Sequence, residues 1–109
     1  MLIEAGDKGS YKVLRIKEDL SVNSDLTELR SIVNDYIAKG SKDFAFSFTK
    51  NSFLYTRSIA VLITCSELIK ENNGRIAIIE ANDDILDLLN LIDFDSMIKV
   101  YPNEEDLVK

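Results

Sequence analysis

A polar segment, Tyr55-Thr56-Arg57-Ser58, stands between two apolar stretches near the middle of the chain. The residues after it recur at the spacing of one helical face, so the segment marks the start of a buried helix. A hydroxyl there can cap the helix by accepting a backbone N–H, an interpretation that fits Thr56, or Ser58 if the helix starts later. A phosphorylated hydroxyl is also tolerated there, because it faces unpaired N–H groups and the positive end of the helix dipole.

Arg57 is placed where a cation opposes the helix dipole, which indicates a role other than folding. Its guanidinium could contact a phosphate on Thr56, an anionic ligand or an acidic patch on another protein, or it could point into water. Tyrosine and arginine are favoured anchors of protein interfaces. The segment is therefore a candidate protein-binding site.

The residue types that most catalytic sites need are missing. The chain has no histidine and one cysteine, so it cannot form a Ser-His-Asp or Cys-His site. Cys65 lies in an apolar helical run and is interpreted as a small buried hydrophobe. The acidic residues near the C-terminus fit a helix start and a solvated loop, without calcium-loop spacing: Asp83, Asp84, Asp87, Asp93 and Asp95. We expect no catalytic residues, no cofactor and no metal, and we expect that the protein is not an enzyme.

The formal net charge is −6, and no lysine or arginine cluster is dense enough to neutralise a phosphate backbone. Nucleic acid is therefore not an expected partner. No apolar run reaches the ~20 residues of a membrane span, and the first residues lack the basic and apolar regions of a signal peptide. The unpaired cysteine favours a reducing compartment. Together these features predict a cytoplasmic protein without membrane insertion.

The elements that must position the polar segment follow from the hydrophobic pattern. Leu2–Ala5 and Tyr11–Ile16 flank a glycine-containing turn, which predicts an antiparallel N-terminal hairpin. Strands then alternate with helices, which predicts right-handed crossovers and a mostly parallel sheet. The later predicted strands are Phe44–Phe48, Arg75–Glu80 and Met97–Tyr101. We expect one α/β domain over residues 1–109, with a mixed sheet of four to five strands and about four helices.

Capping residues mark the ends of the predicted helices. Ser24 or Asp25 begins the first helix, and Gly40 ends it. Asn82 can cap the third helix, whose apolar stripe is Ile85, Leu88, Leu89 and Ile92. After Pro102 the remaining residues predict a last helical turn or two.

The order of elements and four passages of the sequence resemble the STAS domain family (sulphate transporter and anti-sigma factor antagonist). These passages are Phe44–Phe48, NSFLYTRSIAVL, ENNGRIAII and DDILDLLNLIDFDSMIKVY, and the resemblance covers almost the whole chain. In that family an Asp-Ser-Ser-Gly motif leads into the second helix. Here Tyr55 stands in place of the aspartate and Ser58 in place of the glycine. Ser47 replaces the Asp or Asn that is common near the end of the preceding strand.

The resemblance implies a regulatory protein of the anti-sigma factor antagonist type, with roles in bacterial signal transduction and transcription regulation. Such a protein binds an anti-sigma factor, often a kinase of the histidine-kinase-like ATPase class, and so frees a sigma factor. By its placement, Thr56 matches the serine that receives phosphate in phosphorylatable members and is the candidate phosphoacceptor. The implied partner-binding residues are Tyr55, Thr56, Arg57, Ser58, Ser21, Asn23 and Ser24.

Two alternatives remain open from the sequence. The first is a STAS scaffold subunit of a signalling or lipid-transport assembly that is never phosphorylated, and the altered Asp-Ser-Ser-Gly motif favours it. The second is a domain that binds an anionic small molecule or nucleotide at the Thr56–Ser58 helix start. A homodimer is also compatible with the sequence, because Val61 and Leu68 widen the apolar face of the second helix.

Overall fold

A mixed sheet with helices packed on one face makes up the described part of the chain. The computed structural model describes residues 2–91 and 98–108. The strands are β1 (Ile3–Lys8), β2 (Tyr11–Ile16), β3 (Asp43–Ser47), β4 (Ile76–Ile79) and β5 (Lys99–Tyr101). The helices are α1 (Thr27–Ala38), α2 (Thr56–Glu71) and α3 (Asp83–Leu91), and a 3-10 helix (Glu104–Val108) follows β5.

The five strands lie in the order β1-β2-β3-β4-β5. β1 and β2 pair antiparallel and every later pair is parallel, so the predicted hairpin and mostly parallel sheet are confirmed. The hairpin is longer than predicted, because pairing continues past Ala5 to the Lys8–Tyr11 pair. Gly9 then turns the chain at φ +60°, a left-handed conformation that glycine adopts without strain.

The prediction of about four helices is corrected to three. Within residues 2–91 and 98–108 there are three α-helices, and the segment after Pro102 forms a 3-10 helix. That segment holds only five helical residues, too few for a stable α-helix, and the tighter 3-10 form is common at this length. Ile92 and Met97, which the sequence assigns to α3 and β5, lie outside the described residues. In the described ranges, no helix has the length and apolar character of a bilayer span.

Helix α1 begins later than the sequence predicts. Its N-cap residue is Leu26, which provides no side-chain cap, rather than Ser24 or Asp25. The carboxylate oxygen Oδ1 of Asp25 instead accepts hydrogen bonds from the backbone N–H of Thr27 at 2.9 Å and from its hydroxyl. A donor of the first turn is thus satisfied from one residue before the N-cap. Gly40 follows the helix end at φ +103°, as predicted.

The main hydrophobic core lies between one face of the sheet and the three helices. It joins alternate residues of the central strands to one side of each helix: Leu14, Ile16, Phe44, Phe46, Ile76 and Ile78 from the strands, and Leu29, Val33, Leu62, Cys65, Ile69, Ile85 and Leu89 from the helices. Right-handed crossovers between successive neighbours place all these helices on the same side. Cys65 is fully buried, and burial raises the pKa of its thiol to about 11, as expected of a core residue.

The opposite face of the sheet has a thinner cover. Its buried residues are Tyr11, Val13, Ala45, Ala77, Ile79 and, from the 3-10 helix, Leu107. The 3-10 helix contacts β1 and β5, the two edge strands, and therefore crosses this face. Ala45 and Ala77 are fully buried beneath it, and their small side chains suit a close cover.

An ion pair fixes the 3-10 helix to the hairpin. Arg15 Nε and Nη2 donate hydrogen bonds to the two carboxylate oxygens of Glu104 at 2.6 and 2.7 Å. The two side chains are 22% and 20% exposed, so solvent screens this bidentate pair only in part. The hydrogen bonds from Arg15 hold the pKa of Glu104 below its ordinary value.

The Arg15–Glu104 pair predicts an acid-dependent contribution to stability. Because the folded-state pKa of Glu104 lies below 4.5, the contribution is complete above about pH 4.5 and is lost as the pH falls through the folded pKa. We expect Glu104→Gln to lower the free energy of unfolding by about 1–2 kcal/mol at pH 7 and by less at pH 3. Urea unfolding at both pH values measures the difference.

Glu4→Gln is the matched control for this prediction. Glu4 also contacts Arg15, at 3.2 Å, but it is 56% exposed, and an exposed pair contributes at most about 1 kcal/mol. A loss for Glu104→Gln that is as large at pH 3 as at pH 7 would contradict the assignment. Equal losses for the two variants at pH 7 would contradict it as well.

Candidate functional site

Three loops meet at the carboxyl edge of the parallel strands. Residues 17–26 follow β2, residues 48–55 follow β3, and residues 80–82 follow β4. In open α/β sheets this edge commonly carries the binding site. The first loop contains Ser21, Asn23 and Ser24, and the second leads into Tyr55–Ser58. The predicted partner-binding residues therefore lie at the same edge of the sheet, on the first loop and at the start of α2.

A buried hydroxyl joins the first two loops. Ser52 is 2% exposed, and its Oγ accepts a hydrogen bond from the backbone N–H of Leu20 at 2.8 Å. The hydroxyl of Thr49 lies 2.7 Å from Ser52 Oγ and donates to a carboxylate oxygen of Asp19. The N–H of Phe53 donates to the Leu20 carbonyl at 3.1 Å. These hydrogen bonds fix the path of the chain just before α2.

Asn82 connects the third loop to the second. Its Nδ2 donates to the carbonyl oxygens of Lys50 and Ser52, at 3.0 and 2.6 Å. Its Oδ1 accepts the N–H of Ile85 at 2.9 Å, so the prediction that Asn82 caps α3 is confirmed. One side chain thus caps a helix and holds the loop that precedes α2.

The start of α2 has no side-chain cap. Tyr55 is the N-cap residue, with extended backbone (φ −106°, ψ 172°) and no capping hydrogen bond from its side chain. The first intrahelical hydrogen bond runs from the N–H of Ile59 to the Tyr55 carbonyl at 2.9 Å. The prediction that Thr56 or Ser58 caps the helix is therefore wrong, because both lie inside it. No acceptor from the described residues caps the first-turn N–H groups, so they are open to an acceptor from another molecule.

The residues at the α2 start divide into an exposed set and a buried one. Tyr55 is 39% exposed, and Thr56 and Arg57 are exposed as well. The hydroxyl of Thr56 makes no hydrogen bond to any residue within the described ranges. The ring of Tyr55 rests edge-on against Phe53, with centroids 5.0 Å apart. We call Tyr55–Arg57 the α2-start surface.

Ser58 lies beneath that surface. It is 1% exposed, and its Oγ has no hydrogen-bond partner among the residues that the structure describes. Ser66, the other buried serine of α2, is satisfied instead, since its hydroxyl donates to the Leu62 carbonyl at 2.8 Å. A partner docked on the α2-start surface would touch the side chains around Ser58 and not its hydroxyl.

The first loop lies beside the α2-start surface. The hydroxyl and N–H of Thr27 lower the pKa of Asp25, and the nearby positive charge of Arg57 lowers it further. This charge interaction brings Arg57 close to the end of the first loop. Ser21 and Ser24 close a short turn there, with the Ser21 N–H on Ser24 Oγ at 2.8 Å and the Ser24 N–H on the Ser21 carbonyl at 3.1 Å. Ser21 and Asn23 are exposed and Ser24 is partly buried.

Ser47 does not belong to this surface. It is 5% exposed at the end of β3, on the sheet face that the 3-10 helix covers. Its hydroxyl donates to a carboxylate oxygen of Glu80 at 2.7 Å. Glu80 has a left-handed backbone (φ +57°), which directs the chain out of β4. This contact joins the ends of β3 and β4.

Val61 and Leu68, which the sequence offers for a homodimer, are half-buried against the helix-side core. Ile63, at 39% exposure, is the large apolar residue that α2 presents to solvent. Self-association remains a prediction. The described residues contain no group of three or more acidic, cysteine or histidine side chains arranged to hold a metal ion.

Sequence reasoning did not identify Ser52 or Thr49. Both lie in the polar stretch Thr49-Lys50-Asn51-Ser52, where several side chains are capable of the same hydrogen bonds. Which of them turns inward depends on the loop after β2, more than twenty residues earlier in the chain. No local pattern carries that information.

Known families and structures share this architecture. The STAS domain family matches residues 3–107. A crystal structure of a candidate anti-sigma factor antagonist from Thermotoga maritima aligns over 96% of this chain and 90% of its own, with 17% identity and a TM-score of 0.82. The phosphorylated form of the Bacillus cell fate determinant SpoIIAA aligns over 97% and 96%, with 12% identity and a TM-score of 0.73. A comparison with curated protein sequences gives no significant match.

An anti-sigma-factor antagonist (STAS) domain protein from Planctomyces limnophilus is also similar, over 96% of this chain and 92% of its own, with 17% identity and a TM-score of 0.68. At these identities the solved structures show a shared fold. The family match spans nearly the whole chain. The chain belongs to the STAS domain family.

Proposed function

We propose that this protein is a regulatory module that binds an anti-sigma factor and thereby releases a sigma factor. Membership of the STAS family supports the proposal, as do structural neighbours that are described as anti-sigma factor antagonists. The activity is protein binding and not catalysis. The contact surface is the α2-start surface together with the loop Ser21–Ser24.

The exposed, unbonded hydroxyl of Thr56 at an uncapped helix start carries this proposal. Hydroxyls near a helix start commonly act as caps, but Thr56 is the first residue inside α2 and does not cap it. The side chains on either side, Tyr55 and Arg57, are exposed and of the two types that dominate interface energetics. Folding alone gives no reason for this arrangement, whereas recognition of a partner does.

Phosphorylation of Thr56 supplies the switch. A phosphate there would add about −1.5 to −2 charges next to open first-turn N–H groups and the positive end of the α2 dipole. The folded domain tolerates that charge, and Arg57 can pair with it. An acidic or apolar partner pressed against the same spot does not tolerate it, so the complex dissociates without any refolding. A phosphorylated form of the neighbour SpoIIAA has been solved, which supports the same chemistry here.

The loop Ser21–Ser24 widens the contact surface. Val22 in this loop is 62% exposed, and Arg57 lies close enough to Asp25 for its charge to lower the pKa of that carboxylate. An apolar residue, an aromatic ring and a cation at one edge form a mixed patch of the kind found at regulatory interfaces. The hydrogen bonds around Ser52 hold this patch in place before a partner arrives, which reduces the entropy lost on binding.

A Thr56→Glu variant tests the proposal by adding negative charge at the candidate phosphoacceptor. We expect the anti-sigma factor recovered by the wild-type protein to bind Thr56→Glu at least about tenfold more weakly, because the added charge opposes the interface. The fold should not suffer, since a carboxylate in the first turn stabilises a helix by about 0.3–1 kcal/mol. Affinity capture from the native cells with identification by mass spectrometry, followed by calorimetry on the purified pair, gives both quantities.

Ser31→Glu is the matched control, since Ser31 is exposed on α1 and gains the same charge away from the α2-start surface. It should bind like the wild type. If Thr56→Glu and wild type bind the same partner equally, the switch is absent and the protein is the constitutive scaffold considered above. Recovery of partners unrelated to sigma-factor control by both proteins would overturn the functional assignment itself.

Ser58→Ala separates the buried serine from the contact surface. The unsatisfied hydroxyl carries a desolvation cost, and alanine is the better helix former, so we expect the free energy of unfolding to rise by about 0.5–1.5 kcal/mol. Partner affinity should stay within about twofold of wild type. Ser66→Ala is the control, because its hydroxyl is already hydrogen-bonded and its loss brings no comparable gain. Thermal and urea unfolding of the two variants decide between a stabilising and a destabilising change.

A further inference from the structure

A cleft with a basic lining opens at the amino ends of the central strands, at the opposite end of α2 from Thr56. It has a volume of about 230 Å³, and its lining includes Tyr11, Lys70, Gly74, Arg75, Lys99 and Tyr101. We call it the basic cleft. Fourteen residues of helix separate Thr56 from Lys70, which corresponds to about 21 Å at the rise of an α-helix.

Three cations converge on the basic cleft in a chain whose net charge is −6. Lys70 and Lys99 are exposed and form no ion pair with any residue in the ranges 2–91 and 98–108. Arg75 pairs with Asp43 through Nη2 at 2.9 Å, so one of the three charges is partly neutralised. A net positive charge remains, and it attracts anions.

Asp43 aims the guanidinium of Arg75. Asp43 Oδ1 accepts a hydrogen bond from the backbone N–H of Arg75, and Asp43 Oδ2 accepts one from Arg75 Nη2, both at 2.9 Å. Nη2 also donates to the Ser10 hydroxyl at 3.1 Å. The guanidinium carbon lies 5.3 Å from the centre of the Tyr11 ring, a cation–π contact. Nε and Nη1 meet no acceptor among the described residues, so they are free to donate to a ligand.

The hydroxyl of Tyr11 adds a donor to the cleft. Tyr11 is 5% exposed, and its hydroxyl has no hydrogen-bond partner in the described ranges. In the described ranges, Ser58 Oγ is the one buried side-chain oxygen that has no hydrogen-bond partner. The Tyr11 hydroxyl is therefore in contact with solvent, and Tyr11 lines the basic cleft. Burial raises the pKa of Tyr11, so its hydroxyl remains a donor at neutral pH.

The framework of the basic cleft is rigid. A Cβ on Gly74 would lie 1.9 Å from the carbonyl oxygen of Lys42, so the chain passes the start of β3 as closely as glycine permits. The N–H groups of Asn73 and Gly74 bond the carbonyls of Lys70 and Ile69, both at 2.9 Å. These bonds occupy carbonyls at the negative end of the α2 dipole, which otherwise disfavours an anion.

We propose that the basic cleft binds a small phosphate-bearing anion between Lys70, Lys99 and the guanidinium of Arg75. The guanidinium supplies Nε and Nη1 as two separate donors, because each forms a parallel pair only with Nη2, which Asp43 and Ser10 occupy. The lysines supply point charges. At about 30 Å³ per water molecule, the volume corresponds to about eight waters, enough for a phosphate with a small organic group. This site is independent of the proposed anti-sigma factor surface.

A nuclear magnetic resonance titration of the full chain with inorganic phosphate and with phenyl phosphate tests the site. We expect saturable shifts of the backbone amide signals of Gly74, Arg75 and Lys99 with both probes. Tighter binding of phenyl phosphate would identify a phosphate monoester as the ligand, and equal binding would identify the free anion. Sodium chloride at matched ionic strength should not reproduce the shifts. Shifts that do not saturate, or that chloride reproduces, would overturn the proposal.

A Lys70→Gln/Lys99→Gln double variant assigns the binding to the cleft. Both side chains are exposed and lack ion pairs with described residues, so the variant should fold normally and bind phosphate at least about tenfold more weakly, from the loss of two charge-assisted contacts. Lys17→Gln/Lys50→Gln removes the same net charge from exposed positions outside the cleft and should bind as the wild type does. Equal weakening in the two double variants would mean that only the overall charge matters, and it would refute the site.

Discussion

The arrangement of loops at the carboxyl edge of the sheet depends on the hydrogen bonds of the buried Ser52 hydroxyl. This hydroxyl lies where the loops after β2 and β3 cross, and it satisfies the N–H of Leu20 while it contacts the hydroxyl of Thr49. A loop of eight residues between β3 and α2 has no regular structure to order it, and ordering it costs roughly 1–2 kcal/mol per residue in backbone entropy. Side-chain hydrogen bonds from Ser52 and Asn82 offset part of that cost. They also determine where α2 begins.

The consequence is a helix that starts at an ordered position without a cap of its own. Helix starts usually recruit a nearby hydroxyl or carboxylate, and Thr56 stands one residue too late to act as one. The first-turn donors therefore face outward beside Tyr55 and Arg57. The helix start therefore lacks the stabilisation that a capping side chain would contribute. A bound partner, or a phosphate on Thr56, can supply the missing acceptor.

Helix α2 links two ends of opposite character. Its first turn faces the carboxyl edge, where protein binding is proposed, and its last turn borders the basic cleft. The core residues Leu62, Cys65 and Ile69 attach the helix to the sheet between these ends. The two sites lie about 21 Å apart along the helix and share no residue, so we expect them to act as separate binding surfaces.

Sequence patterns predicted the parts of this fold that local chemistry determines. The hairpin, the central strands, the glycine stop after α1 and the Asn82 cap follow from residues close together in the chain. The missed features depend on partners far apart. Arg15 and Glu104 are 89 positions apart, and the burial of Ser58 depends on how the first turn of α2 faces the core. The N-cap of α2 was misplaced by one residue, because a hydroxyl before an apolar run does not reveal which residue leaves the extended conformation.

The central claim is that a partner docks on the α2-start surface and the neighbouring loop. Hydrogen–deuterium exchange with and without the purified anti-sigma factor tests it most directly, because it reports backbone protection along the whole chain. The account predicts slower exchange on binding in peptides that cover residues 17–26 and 50–58, with no change in peptides that cover residues 73–76. Protection confined to the β1–β2 hairpin and the 3-10 helix, with unchanged exchange at residues 50–58, would contradict it.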